Sequence, residues 1–374
     1  MGPVDRQWLA AKRTMTTLFV QDGQFIKRWG WAVSETTEPV CVYQEQYYAL
    51  SEIWPNQRRC AQVRQRHSKL DAAIVELGLE APQPWAMMPL KGRKLDDGQK
   101  VWVDIKKLPR DGKGCSVHFV EPARASETVG TIQSDHQTPF APPYGDARRI
   151  IADHQTFVAP ALATSVKVEI KPEAVQAALG SLKPEAQIKF NPPCFILIEV
   201  GRTLTAIDIN AAPTAKNNLA AVPTIARAIW RENLAGLIVI DFLRPDDKRH
   251  RQEVTTALKA QLQDVADRLP QSVTRPQIEV STMDHRGLVI IERERLGVSR
   301  FELLESDPQL IAMSKMLETA LAERRPKLGQ RLTVSPWAYD WLHRTAHRRR
   351  QWQSVLAVER DEKLDQYEYQ WTDE

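Results

Sequence analysis

Two strings, LTAIDIN at 204–210 and GLIVIDF at 236–242, constrain this chain more than any other part of it. Both have the apolar, β-branched look of buried strands, yet each carries a carboxylate, Asp208 and Asp241. A bare carboxylate is expensive to bury unless a proton, a partner or a metal compensates it. Between the strings, Leu219, Val222, Ala226, Ile229 and Trp230 recur at helical spacing over 219–234. Strand, helix, strand implies a parallel crossover, right-handed in nearly all cases. Side chains two apart on a strand share a face, so Asp208 and Asn210 point one way and Ile207 and Ile209 the other. Both aspartates then stand near the carboxyl ends of their strands, where open α/β sheets bind ligands.

Neighbouring strands lie about 4.8 Å apart. Two carboxylates at that separation repel by about 3 kcal/mol at an effective dielectric of about 20. A divalent cation turns the repulsion into attraction. Mg²⁺ suits the geometry, being a hard ion held by one or two carboxylates that keeps waters and accepts phosphate oxygens. Asn210 supplies no charge; its amide suits orienting an aspartate or donating to a phosphate oxygen. The same spacing also suits aspartates that only cap a helix or order strand-end loops. The residues alone leave both readings open.

The rest of the chain reads as several domains. Residues 1–37 carry no pattern that places them and read as an N-terminal extension, with disorder one expectation. VCVYQEQYYALSEI, within 38–57, alternates like a strand pair. Residues 58–120 hold five candidate strands, near 60–66, 71–77, 85–89, 100–107 and 114–120. In VWVDIK the alternation of Val101, Val103 and Ile105 with polar neighbours marks a half-buried strand. Five short strands in so few residues predict a small oligonucleotide-binding-type barrel. Residues 121–145, rich in Pro, Ser, Thr and Gly, read as a linker. A helix near 146–157, a strand near 165–170 and a helix near 172–182 follow. Residues 194–300 form the domain of the two aspartates, with a helix over 248–268 and a strand over 277–282. Helices over 308–323 and 336–349 belong to a small C-terminal α/β domain, 301–374. The expected fold class is therefore α+β and multi-domain: a β-barrel, an α/β domain with a mixed sheet, and a small α/β domain.

Composition narrows the setting. The net charge of +4 is mildly basic and compatible with a polyanionic partner. Four cysteines, 41, 60, 115 and 194, form no C-x-x-C pair, so neither a zinc clasp nor a disulfide framework is expected. No apolar run approaches the ~20 residues that span a bilayer. The N-terminus lacks a secretory signal pattern. The expectation is a cytoplasmic protein without a membrane span.

LTAIDIN, NNLAAVPTIARAI, LAGLIVIDF, RHRQEVTTAL and RGLVIIERERL together resemble the catalytic core of the ribonuclease E/G family, over about 194–299. AAIVELG, MMPLKG and VWVDIKKLPRDGKGC are similar to the family's S1 RNA-binding domain, and 308–370 to its C-terminal small domain. The resemblance implies an Mg²⁺-dependent endoribonuclease that cuts single-stranded RNA in rRNA processing or mRNA decay. It implies that Asp208 and Asp241 hold the metal and that Asn210 assists, making these three the catalytic candidates. It also implies that 38–57 and 146–193 form a degenerate RNase H-like region. The chain departs from the family pattern in several places. Arg244 stands where a second acid is usual, and Ile290 where a Glu is common. The loop after IDIN is short, with Thr214, Ala215 and Lys216 in place of an Arg-Gly-Gly run. The C-P-x-C zinc link is missing, so no zinc-linked dimer is expected. The linker is too short for the family's 5′-monophosphate sensor. The rival expectation is an RNA-binding protein of the same descent that has lost hydrolysis.

Single-stranded RNA binds such barrels by stacking on aromatics and by basic tracking of phosphates. The family's aromatic positions are here Ile74 and Met87; Trp85 and Trp102, with His118, stand as substitutes or simply cover the barrel. Lys113, in GKG, matches a basic turn of the family. Arg249 and His250 open the helix after GLIVIDF; helix N-termini favour phosphate, and a guanidinium forks onto it. Arg286 and Arg293 match basic family positions, although Arg293 also has Glu292 and Glu294 as candidate surface partners.

Overall fold

The computed structural model of the chain describes residues 17–32, 41–48, 50–54, 57–79, 85–109, 114–133, 147–153, 166–180, 183–201, 203–244, 247–269, 275–295, 299–323, 330–353 and 355–373. The chain divides into two compact units. One comprises Met1–Asp22, Arg28–Glu45 and Pro142–Glu302; the other comprises Gly23–Lys27, Gln46–Ala141 and Leu303–Glu374.

Strands β1 (Thr17–Asp22), β2 (Ile26–Ala32) and β3 (Cys41–Tyr48) open the chain. Much of the segment read as an extension is thus folded. In β2, Trp29, Trp31 and Ala32 are buried, and so is Arg28. The Arg28 guanidinium is satisfied by the carbonyl oxygen of Gly180 at 2.8 Å and by Gln176 Oε1 at 3.1 Å. A buried charge of this kind survives only with such partners. Of the strand pair expected over 38–57, the described residues form one strand, β3.

The barrel follows: β4 (Arg58–His67), β5 (Ala72–Glu76), β6 (Trp85–Pro89), β7 (Lys100–Lys107) and β8 (Cys115–Pro122). They close in the order β4-β5-β6-β8-β7, with β6 and β8 parallel. Its core is Val63, Val75, Ala86, Met88, Val101, Val103, Ile105 and Val117, every second residue of their strands. Residues beyond β8 are not a free linker. Cys60 N–H donates to the Thr131 carbonyl at 2.8 Å, and Gly130 N–H to the Cys60 carbonyl at 2.8 Å, so this stretch runs along β4. Gly78 and Gly130 allow the close approach: a Cβ on Gly78 would lie 2.7 Å from Gly130 Cα.

β9 (Arg149–Ala152) and β10 (Lys167–Ile170) return to the first sheet, and α1 (Pro172–Leu179) packs on it. The helix expected near 146–157 is instead strand β9 as far as Ala152; residues 154–165 lie outside the described ones. The sheet order is β10-β9-β1-β2-β3, with β9 parallel to both β1 and β10. Apolar side chains of β9 (Ile150 and Ile151) are buried there, which the ladder rewards over an isolated helix turn.

The third sheet contains β11 (Gln187–Lys189), β12 (Phe195–Val200), β13 (Thr205–Asn210), β14 (Gly236–Asp241), β15 (Ile278–Val280) and β16 (Leu288–Arg293). Its order is β11-β12-β13-β14-β16-β15. Only β13 and β14 run parallel; the other pairs are antiparallel. Helix α2 (Ala215–Arg231) makes the crossover between them, and α3 (Lys248–Arg268) follows β14. One face of the sheet is closed by apolar residues: Ile196, Ile198, Ile207, Ile209, Ile238, Ile240, Val289 and Ile291 are buried. Each contributes about 1.5–3 kcal/mol relative to exposure. Val254, Leu258, Leu262 and Val265 form the buried stripe of α3.

The C-terminal part has α4 (Arg300–Ser306), α5 (Pro308–Glu323), β17 (Gln330–Val334), α6 (Pro336–His343), α7 (Ala346–Gln353), β18 (Val358–Arg360) and β19 (Tyr369–Asp373). β17 lies between β18 and β19. The helix expected over 336–349 is two helices. Ser335 caps the first, and Thr345 Oγ1 accepts from Arg348 N–H at 3.2 Å to start the second. No helix among the described residues is long and apolar enough to cross a membrane.

Candidate metal centre

Alternation brings the acidic pair to the open face of the third sheet. On β13, Ile207 and Ile209 are buried while Asp208 and Asn210 are exposed. On β14, Ile238 and Ile240 are buried while Asp241 is exposed. Asp208 and Asp241 are register partners across the parallel ladder. Neither carboxylate has a side-chain hydrogen bond or an ion pair to another described residue. The Asp241 carboxyl is held above the ordinary range, first by partial burial, then by the charges of Asp208 and Asp284. Among the described residues no group of three or more His, Cys, Asp or Glu is placed to hold a metal together. Two unpartnered, mutually repelling carboxylates on adjacent strands nevertheless fit an ion that takes one or two protein carboxylates and fills its remaining positions with water and phosphate. Asn210 shares their face, two register pairs further along β13, opposite Phe195 of β12.

The strand end carrying Asp241 is clamped from two sides. From α2, Asn218 Nδ2 donates to the Leu243 carbonyl at 2.8 Å, and Leu243 N–H donates to Asn218 Oδ1 at 3.0 Å. Asn218 Nδ2 also lies 3.2 Å from His250 Nε2. From the other side, Phe242 N–H donates to the Gly287 carbonyl at 3.1 Å. Gly287 sits at φ +108, and a Cβ there would lie 2.3 Å from the Phe242 carbonyl oxygen. Asp284 organises this turn: its Oδ1 accepts from the N–H groups of Arg286, Gly287 and Leu288 at 2.8, 2.9 and 2.9 Å. These bonds hold the Asp284 carboxyl below its ordinary range.

Sequence reasoning misses Asn218 and Asp284. Asn218 falls in step with Ala221, Val222 and Ile225 on the buried stripe of α2, a polar residue on an apolar face. Asp284 precedes Gly287 by three, a side-chain-capped turn signature.

The basic candidates separate sharply. Arg249 is exposed in the first turn of α3 and, among the described residues, pairs with Glu253 one turn on, at 3.0 Å. Arg286 is exposed on the turn beside β14. His250 is 5% exposed, and its ring faces Asn218 rather than solvent. Arg293 is 3% exposed. It donates to Asn233 Oδ1 at 3.0 Å and to the Leu234 carbonyl at 2.8 Å, and stacks on Trp230 at 4.8 Å. Neither His250 nor Arg293 is therefore an RNA contact. Both are polar residues held inside by partners that periodicity does not reveal. Arg293 does not pair with Glu292 on the surface; the two alternate across the sheet.

In the barrel, Trp85 is 37% exposed on β6 and Trp102 is half-buried on β7. β8 separates β6 from β7, so the two rings do not share a ladder. The more exposed apolar side chain is Met87, 49% exposed, whose register partner on β5 is the half-buried Ile74. His118 is exposed on β8, and its pKa is lowered by partial burial and by Lys106 and Lys91 nearby. Lys113 lies outside the described residues.

Residues 174–296 match the model of the Ribonuclease E/G family. Ribonuclease E of Haemophilus influenzae is 35% identical over 114 residues, covering 28% of this chain and 11% of that protein. Ribonuclease E of Nostoc sp. is 32% identical over 133 residues, covering 33% of this chain and 18% of that protein. The Ribonuclease E/G-like protein of Porphyra purpurea is 26% identical over 158 residues, covering 40% of this chain and 29% of that protein. The chain thus matches well under two thirds of each relative's length. The matched segment contains both aspartates, Asn210, Asn218 and Asp284, and over it the chain is similar to the Ribonuclease E/G family.

Proposed function

We propose that the chain is a metal-dependent endoribonuclease that cleaves single-stranded RNA, in rRNA processing or mRNA decay. The observation that supports this most is the register pairing of Asp208 with Asp241, both exposed and without a side-chain partner among the described residues. Residues 174–296, which contain both aspartates, match the model of the Ribonuclease E/G family.

Asp208 and Asp241 would hold Mg²⁺. When bound, the ion supplies charge neutralisation at the phosphate and a more acidic water. The chain's own residues do the rest. Asn210, on the same face, offers its amide N–H groups to a non-bridging phosphate oxygen. The α3 N-terminus, with exposed Arg249 beside it, favours the phosphodiester approaching the β14 end. Arg286 approaches that end from the opposite loop. On the barrel, Met87 and Ile74 form an apolar surface for bases, with Trp85 two ladder pairs away.

A second reading is an RNA-binding protein of this family without hydrolysis. It is favoured by Arg244, an exposed cation three residues beyond Asp241, which opposes a second positive charge nearby. One experiment separates the two readings. The purified chain is incubated with a 5′-monophosphorylated, A/U-rich single strand, with Mg²⁺ or with EDTA. The enzyme reading expects cleavage only with Mg²⁺ and none from Asp208→Asn or Asp241→Asn, with RNA binding retained. Equal cleavage by those variants overturns the site, and binding without cleavage by any form establishes the second reading.

A further inference from the structure

The turn 284–288 is built around a single oxygen. Asp284 Oδ1 takes the N–H groups of Arg286, Gly287 and Leu288, three successive donors within 2.9 Å. Asp284 N–H in turn donates to the Leu288 carbonyl at 3.0 Å, which closes the turn. Nothing in a turn of this length obliges so many backbone donors to converge; most turns are held by one such bond.

What the turn touches gives the convergence its meaning. Leu288 is the register partner of Asp241. The Gly287 carbonyl takes the N–H of Phe242, the residue after Asp241. Gly287 holds a positive φ so that its Cα can approach the Phe242 carbonyl. Asp241 is therefore flanked in sequence and in register by groups whose positions Asp284 sets. The side chain of Asp241 itself has no hydrogen bond to a described residue, so its backbone is what aims it.

We propose that Asp284 is a positioning residue for the Asp208–Asp241 cation site, fixing the β14 end through the turn it caps. The inference rests on reading that pair as a divalent-cation site. It assigns Asp284 no bond to the ion. It makes the acceptor at position 284, rather than its charge, the feature that matters. Groups one step removed from metal ligands commonly change affinity by about 10–100-fold when lost.

The test uses the full chain, with Mn²⁺ as a paramagnetic probe titrated by electron paramagnetic resonance. Hydrogen exchange at Phe242 N–H is followed in the same proteins. Asp284→Ala removes the acceptor, Asp284→Asn keeps it without the charge, and Asp208→Asn serves as the reference for the site. The expected result is Mn²⁺ affinity about tenfold weaker in Asp284→Ala with faster exchange at Phe242. In Asp284→Asn both quantities stay close to wild type. Wild-type binding that Asp208→Asn abolishes but Asp284→Ala leaves unchanged overturns this inference alone. Asp284→Asn falling as far as Asp284→Ala also overturns it, because charge is then the operative property. Mn²⁺ binding that is absent, or indifferent to Asp208→Asn, overturns the reading of the site and this inference with it. If Asp284→Ala does not fold, the asparagine variant with unchanged affinity and exchange supports the role, and with lost affinity overturns it.

Discussion

Asp208 and Asp241 stand opposite each other across a parallel ladder, and no described residue pairs with either carboxylate. The arrangement sets function against stability. Asp241's carboxyl is raised on folding by partial burial and by its two acidic neighbours. An acid raised in this way stabilises the fold below the ordinary aspartate range, near about 3.9. That contribution is lost as pH rises through the folded value. Asp241→Asn is therefore expected to raise the melting temperature of the EDTA-treated protein at about pH 7, the gain vanishing at about pH 3. Calorimetry at the two pH values checks it. A lower melting temperature for the variant at neutral pH contradicts the assignment.

Asn218 is 1% exposed and serves both backbone groups of Leu243. Asn218→Ala leaves those groups and the His250 ring without their partner, at a cost of about 2–3 kcal/mol. Urea unfolding should show a shifted midpoint with an unchanged slope. The same substitution loosens the Asp241 strand end, so cleavage should fall even under conditions where the variant is fully folded.

The arginines should sort by burial. Arg293→Ala breaks two hydrogen bonds and a ring contact inside the protein. Its expected effect is a stability loss of about 3 kcal/mol. Arg249→Ala and Arg286→Ala should leave the melting temperature within a degree or so, since exposed substitutions rarely exceed about 0.5 kcal/mol. Each should instead reduce the slope of log affinity against log salt by about 0.7 for single-stranded RNA. Anisotropy titrations at several salt concentrations decide between the two patterns. An unchanged slope would remove that arginine from the interface.

Met87→Phe is expected to tighten RNA binding. Met87 is exposed and paired with Ile74, so a ring there gains a surface for a base without filling the core. Base–aromatic stacking is worth about 1–3 kcal/mol, or roughly tenfold in affinity at the middle of that range. If affinity is unchanged while the barrel keeps its melting temperature, RNA does not cross this face.

Much of this was legible in the residues because period and direction were. The alternation in TAIDIN and GLIVID separates carboxylates from isoleucines, and the helix between them leaves a parallel pairing as the simple solution. The barrel strands and α3 follow the same logic. Where the signal failed, a long-range partner had overridden local character. Arg28 sits in a buried strand because carbonyls near residue 180 receive it, and no pattern within β2 announces those carbonyls. Arg293 reads as a surface cation until Trp230 and Asn233 are brought beside it. β9 is four residues long, too short for any period to establish itself, and its ladder partner Thr17–Val20 lies far back in the sequence, before the barrel.

That last pairing has a consequence for synthesis. The barrel is threaded between β3 and β9, so Thr17 must wait for Arg149 before its sheet can close. On a ribosome the barrel emerges and can condense while β1 still lacks β9 on its outer edge. Non-local pairing of this kind forms slowly and leaves strand edges open meanwhile. A nascent polypeptide halted shortly after the barrel should therefore present a protease-resistant core beside a digestible leader. Release past Ile170 should convert the leader to the resistant state.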